Sequence, residues 1–186
     1  MIQRHNKVVK IVALRSTGRD VKSRLLHRRY VQQIMSYSSH EFNILSYMLR
    51  KNRFTYNQVI NWAYSQYTNE GIDPFIEKIG LALDKEEILA LISNEFQVYG
   101  EPRPEFLTGE AVKKYEKNEL SLCETLRVIL YDLDLELIKS KKTELYIAED
   151  YYDWHKSPDE KAKVHAEPIF QEYLSEYENE IAKFVT

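Results

Sequence analysis

The sequence predicts an all-α protein: a single compact domain of about seven or eight helices behind a basic N-terminal arm. Three observations carry this prediction. Only five Gly and five Pro punctuate 186 residues, which favours long regular elements over a loop-rich β fold. Helix start signals recur, five of them a hydroxyl or Asp cap with Glu or Gln three residues on. Between them apolar residues return every three or four positions, the spacing of one helix face. With 44% hydrophobic and 30% charged residues the chain is globular in composition. Its length can bury a substantial core.

Taken in order, residues 7–14, KVVKIVAL, are the one candidate strand, and they have no evident partner strand. Ser38 and Glu41 have capping-box spacing and begin a helix bearing Phe42, Leu45 and Leu49. Thr55 and Gln58 form the next box, with Phe54 as its staple and Val59, Ile60, Ala63 and Tyr67 behind it. That helix is expected to end at 69–71. Asp73-Pro74 is a cap followed by Pro at the first helical position, where its missing N–H costs nothing. Asp84 and Glu87 start a helix with Ile88, Leu91, Ile92 and Phe96 inward and Gly100 as its stop.

The segment EPRPEF (101–106) reads as an extended connector, because each Pro disfavours helix at the preceding residue. A helix over 108–117 follows. Ser121 and Glu124 then cap a strongly apolar helix, expected to run from Ser121 to Lys139 at the centre of the domain. Leu122, Leu126, Ile129, Leu130, Leu133 and Leu137 make its stripe, widened by Val128, Leu135 and Ile138. Thr143 begins the next helix, ending near His155. Ser157-Pro158-Asp159-Glu160 starts another, and Pro168 is expected to kink or break it. The last helix presents Phe170, Tyr173, Leu174, Tyr177, Ile181 and Phe184. KNRFTYNQVI (51–60) is echoed by KNELSLCETL (117–126), which fits either a duplicated hairpin or two good helix starts.

Charge divides the chain. Residues 1–34 hold nine Lys/Arg and one acid, Asp20; residues 35–186 hold 17 basic and 28 acidic side chains, 17 − 28 = −11. A basic arm on an acidic body implies contact with nucleic acid, or docking of the arm on the body. Arg15, Arg19, Lys22, Arg24, Arg28 and Arg29 are the candidate nucleic-acid contacts. The arm lacks the interleaved aromatics of a single-strand binder. Met35 offers an alternative start, which would make residues 1–34 an upstream extension of the acidic domain at 35–186.

Several classes have no support in the sequence. The lone Cys123 excludes an internal disulfide and reads as a buried, inert thiol. The first residues do not read as a signal peptide and no apolar run reaches membrane-spanning length, so a cytoplasmic protein that makes no membrane contact is expected. Gly-rich phosphate loops, HExxH, Glu-x-x-His and Gly-x-Ser-x-Gly are all missing. The expectation is a protein that is not an enzyme and carries no cofactor.

One stretch stands out, AEDYYDWHKSPDEKAKVHAEP (148–168). Glu149, Asp150, Tyr151, Asp153, Trp154 and His155 make an acidic, aromatic end to a helix. Carboxylates in the last turns oppose the helix dipole, so the cluster gains nothing from its own helix. Tyr and Trp supply contact area at low entropic cost, and carboxylates attract a basic partner. A metal-dependent enzyme built on Asp150, Asp153, His155 and His165 is the alternative for the same stretch.

Residues 54–92 carry a capped helix with Trp62-Ala63, an Asp73-Pro74 start with Ile79 and Leu81, and a capped helix at Asp84. This segment resembles the central helices of small uncharacterised bacterial helical proteins, some of which resemble immunity proteins encoded beside secreted toxins. The resemblance implies a non-enzymatic inhibitor of a toxin, and the acidic, aromatic patch at 149–155 suits a basic toxin that acts on nucleic acid. It implies no catalytic residues. The nucleic-acid-associated regulator acting through the basic arm stands as the second reading.

Overall fold

The structure, a computed structural model, describes residues 37–69, 71–133, 135–137 and 139–185. The basic arm and the KVVKIVAL segment lie outside these residues, and with them Arg15, Arg19, Lys22, Arg24, Arg28 and Arg29. Among the described residues the fold is all-α, with eight α-helices and no strand. They are α1 (Ser39–Arg50), α2 (Tyr56–Ser65), α3 (Pro74–Gly80), α4 (Lys85–Phe96), α5 (Pro104–Glu116), α6 (Leu122–Arg127), α7 (Lys139–Trp154) and α8 (Pro158–Ala182).

Four of the local start signals work as read. Thr55 and Ser121 each close a full capping box with Gln58 and Glu124. Asp73 accepts from the N–H groups of Phe75 and Ile76, and Asp84 from that of Glu87.

Two cores result. Around α1–α4 the interior is built from rings. Phe42 stacks on Phe96 at 4.6 Å and meets Phe75 edge-on at 5.0 Å. Trp62, 1% exposed, packs between Phe42 at 6.5 Å and Phe184 at 5.2 Å. Around α6–α8 the interior is aliphatic and small: Leu122, Leu126, Ile129, Leu145, Ala148, Ala162 and Ala166, closed by Phe170 and Leu174. The alanines let α7 and α8 lie close as a hairpin.

The long helix α8 joins both cores. Its middle packs on α5, where Gly109 is indispensable: a Cβ there would sit 2.4 Å from Tyr177 Cβ and 2.5 Å from the Tyr173 carbonyl oxygen. Its end delivers Phe184 to the ring cluster.

The expected central helix from Ser121 to Lys139 is not formed. α6 stops at Arg127, a π-helical turn covers Val128–Asp132, and Leu133 is extended. Leu133, Leu135 and Leu137 alternate with polar residues, a period of two. That spacing widens a helical stripe on paper but cannot sit on one helix face. Leu135 and Leu137 instead pack from irregular chain onto the α6–α8 core.

Other boundaries also move. α5 begins at Pro104, not at 108, because Pro104 takes the first helical position. α4 ends at Phe96 with Gln97 left-handed (φ 54°), so Gly100 is not its stop. α7 begins four residues before Thr143, whose hydroxyl donates to the Lys139 carbonyl inside the helix. Ser157 makes no side-chain cap. α8 runs unbroken through Pro168. Pro168 is exposed, so the bond it omits falls on the side where water can serve the orphaned carbonyl.

The echo at 51–60 and 117–126 is conformational as well as sequential. Asn52 and Asn118 are both left-handed, at φ 55° and 57°. Arg53 N–H donates to the Met48 carbonyl and Asn52 N–H to that of Leu49; Glu119 and Asn118 repeat both bonds onto Lys114 and Tyr115. Both connectors are αL helix ends followed by a capping box.

Candidate functional site

The exposed end of the α7–α8 hairpin carries the stretch singled out by sequence. The 3.6-residue period of α7 points Leu145, Ala148 and Tyr152 toward the core. Tyr146, Asp150, Asp153 and Trp154 therefore share the opposite face. Trp154 is 82% exposed, and Asp150 and Asp153 are exposed beside it. Glu149 sits on the flank of this face and accepts a hydrogen bond from the Tyr131 hydroxyl at 3.3 Å. Tyr131, itself exposed, comes from the π-helical turn and approaches Tyr146 at 6.4 Å. The unwinding of the expected helix thus adds a tyrosine to the patch that the sequence reading did not place there.

Tyr151 and His155 turn the other way, toward α8. The Tyr151 ring lies 4.9 Å from His155 and 5.6 Å from His165, with Lys161 Nζ 5.8 Å above it. His165 Nδ1 is 2.7 Å from Glu144 Oε2, and Lys161 Nζ is 3.3 Å from His155 Nδ1. The six predicted contact residues are therefore split: Glu149, Asp150, Asp153 and Trp154 form one outward surface, while Tyr151 and His155 belong to an interhelical cluster. The four residues of the metal alternative are divided in the same way, Asp150 and Asp153 facing away from the histidines. No three His, Cys, Asp or Glu side chains converge as a metal cluster among the described residues. Tyr152 donates to Asp159 at 2.6 Å; burial, and then this carboxylate, hold its phenol well above the usual range.

A second feature was invisible in the sequence. Glu110, in the middle of α5, is 7% exposed. Its Oε2 accepts a 2.7 Å hydrogen bond from the Tyr47 hydroxyl, and burial followed by this carboxylate raises the Tyr47 phenol. Its Oε1 lies 3.9 Å from Arg53 Nε and 3.6 Å from Lys114 Nζ. Above it opens a pocket of about 200 Å³, walled by Met48, Phe54, Tyr177 and Ile181 and rimmed by Lys113, Lys117 and Glu119. The two matching connectors bring Arg53 and Lys117 to this one place.

No known protein family, curated protein or solved structure matches this chain. No helix among the described residues is long and apolar enough to cross a membrane.

Proposed function

We propose that the acidic helical domain binds and neutralises a basic protein, in the manner of an immunity protein, through the outer face of α7. The observation that carries this reading is Trp154, 82% exposed on the last turn of the helix with Asp150 and Asp153 beside it. A large ring held in water stabilises nothing in the fold. Buried under a partner it becomes the kind of aromatic anchor around which binding energy concentrates. Tyr131 and Tyr146 extend the apolar surface, and Glu149 completes a carboxylate rim. The domain's formal charge of −11 favours fast encounter with a basic surface.

The test is retention of a partner from the source cell on immobilised domain, compared with Trp154→Ala and with Asp150→Asn/Asp153→Asn. The expected result is a basic protein held by the wild type and lost from both variants, with its gene adjacent. Loss of about 2 kcal/mol or more of binding energy is expected for Trp154→Ala. Retention of the same partner by both variants, or no basic partner at all, ends this reading.

A further inference from the structure

We infer that the pocket above Glu110 is a binding site for a small phosphate-class oxyanion. The pocket lies apart from the α7 face, and the inference stands independently of the partner proposed there.

Its lining holds four cations, Arg53, Lys113, Lys114 and Lys117, against two carboxylates, Glu110 and Glu119. Lys113 is committed elsewhere: its Nζ donates to Glu178 at 2.6 Å and to Glu116 at 3.0 Å. The other three make no side-chain hydrogen bond among the described residues. Arg53 and Lys114 share the single Oε1 of Glu110 at 3.9 and 3.6 Å, ion-pair distances too long for hydrogen bonds. Lys117 has no ion-pair partner among the described residues. Three cations thus line one cavity without a close hydrogen bond, two of them held by Glu110 at longer ion-pair distance and Lys117 without an ion pair among the described residues, in a domain that is otherwise strongly acidic.

Cations at helix C-termini also offset the helix dipole, and Lys113, Lys114 and the C-cap Lys117 do so at the end of α5. The same holds for Arg53 just past the end of α1, but the dipole does not require both helix ends to converge on one cavity. The carbonyls of Met48 and Lys114 at these helix ends are already satisfied by Arg53 N–H and Glu119 N–H. A guanidinium fork and two ammonium groups are the donor set for a phosphate. The buried Glu110, tied down by Tyr47, fixes where Arg53 and Lys114 stand. Met48, Phe54 and Ile181 offer an apolar wall for whatever carries the phosphate.

The experiment is calorimetric titration and thermal melting of the full chain with inorganic phosphate and with phenyl phosphate, against sodium chloride at matched ionic strength. Phosphate is expected to raise the melting temperature above the chloride control. Arg53→Ala and Lys117→Ala are each expected to weaken binding about tenfold or more, as loss of a charge-assisted hydrogen bond requires. Glu119→Gln is expected to tighten it. Tighter binding of phenyl phosphate assigns the site to a phosphate ester seated on the apolar wall, and equal binding assigns it to free phosphate. Because Lys117 is exposed, its variant is expected to keep the unliganded melting temperature, which separates lost binding from lost fold. No stabilisation beyond chloride, or stabilisation unchanged in both variants, overturns the inference.

Discussion

The two cores of this domain solve the same packing problem in opposite ways. Around α1–α4, bulky rings fill the space between short helices, and edge-to-face contacts fix their angles. Around α7 and α8, three fully buried alanines remove side-chain bulk so that two long helices approach closely. One region is vulnerable to losing volume and the other to gaining it. The binding face proposed here stands on the second, on the side of α7 turned away from its core.

The sharpest test of this contrast is Trp62→Ala. Removing a ring that touches both Phe42 and Phe184 is expected to cost about 3–5 kcal/mol in denaturant unfolding. A loss well under that range would mean the ring cluster collapses into the void, and the contrast with the hairpin would weaken. The converse substitution, Ala166→Leu, inserts volume where α7 and α8 meet and is expected to cost about 1–3 kcal/mol. Neutral behaviour would show that the hairpin is looser than its buried alanines imply.

A smaller effect separates the cores by pH. Burial lowers the pKa of His40 below its ordinary 6.5, and Arg103 reinforces the shift; Glu180, Glu41 and Lys183 also face it. Arg103 Nε donates to His40 Nε2 at 3.2 Å, which requires that nitrogen unprotonated. The folded state therefore binds the proton less readily than the unfolded chain. The associated stability is complete above pH 6.5 and is lost as pH falls through that value toward the lower folded pKa. Melting temperature is expected to be flat above pH 6.5 and to drop below it, with His40→Gln flattening the profile. A drop of equal size in the variant would assign the acid sensitivity elsewhere.

How much of this was legible in the sequence follows from the range of the forces involved. The caps at Thr55, Asp73, Asp84 and Ser121 were readable because each is satisfied within three residues. Ring positions such as Phe42 and Phe96 were readable from helical spacing alone, whereas Phe184, expected on the last helix, is buried from beyond its end at Ala182. The end of α6 was not, because Leu133, Leu135 and Leu137 satisfy a generous helical stripe and a period of two alike, and only packing chooses. Pro168 misled because its cost depends on which side of α8 it occupies. At the candidate face, helical geometry places Asp150, Asp153 and Trp154 together, yet Tyr131 reaches them only through the π-helical turn. The site over Glu110 joins residues from Met48 to Ile181, a separation no local rule spans.

Phe184 has a consequence for the order of events during synthesis. The helices α1–α4 are complete once Phe96 has been made, but the ring that closes against Trp62 comes roughly 90 residues later, several seconds or more at about 5–20 residues per second. Through that interval Phe184 is missing from the ring cluster, while Phe42 is already present beside Trp62. The core nearest the start of the described chain is therefore the last to be sealed.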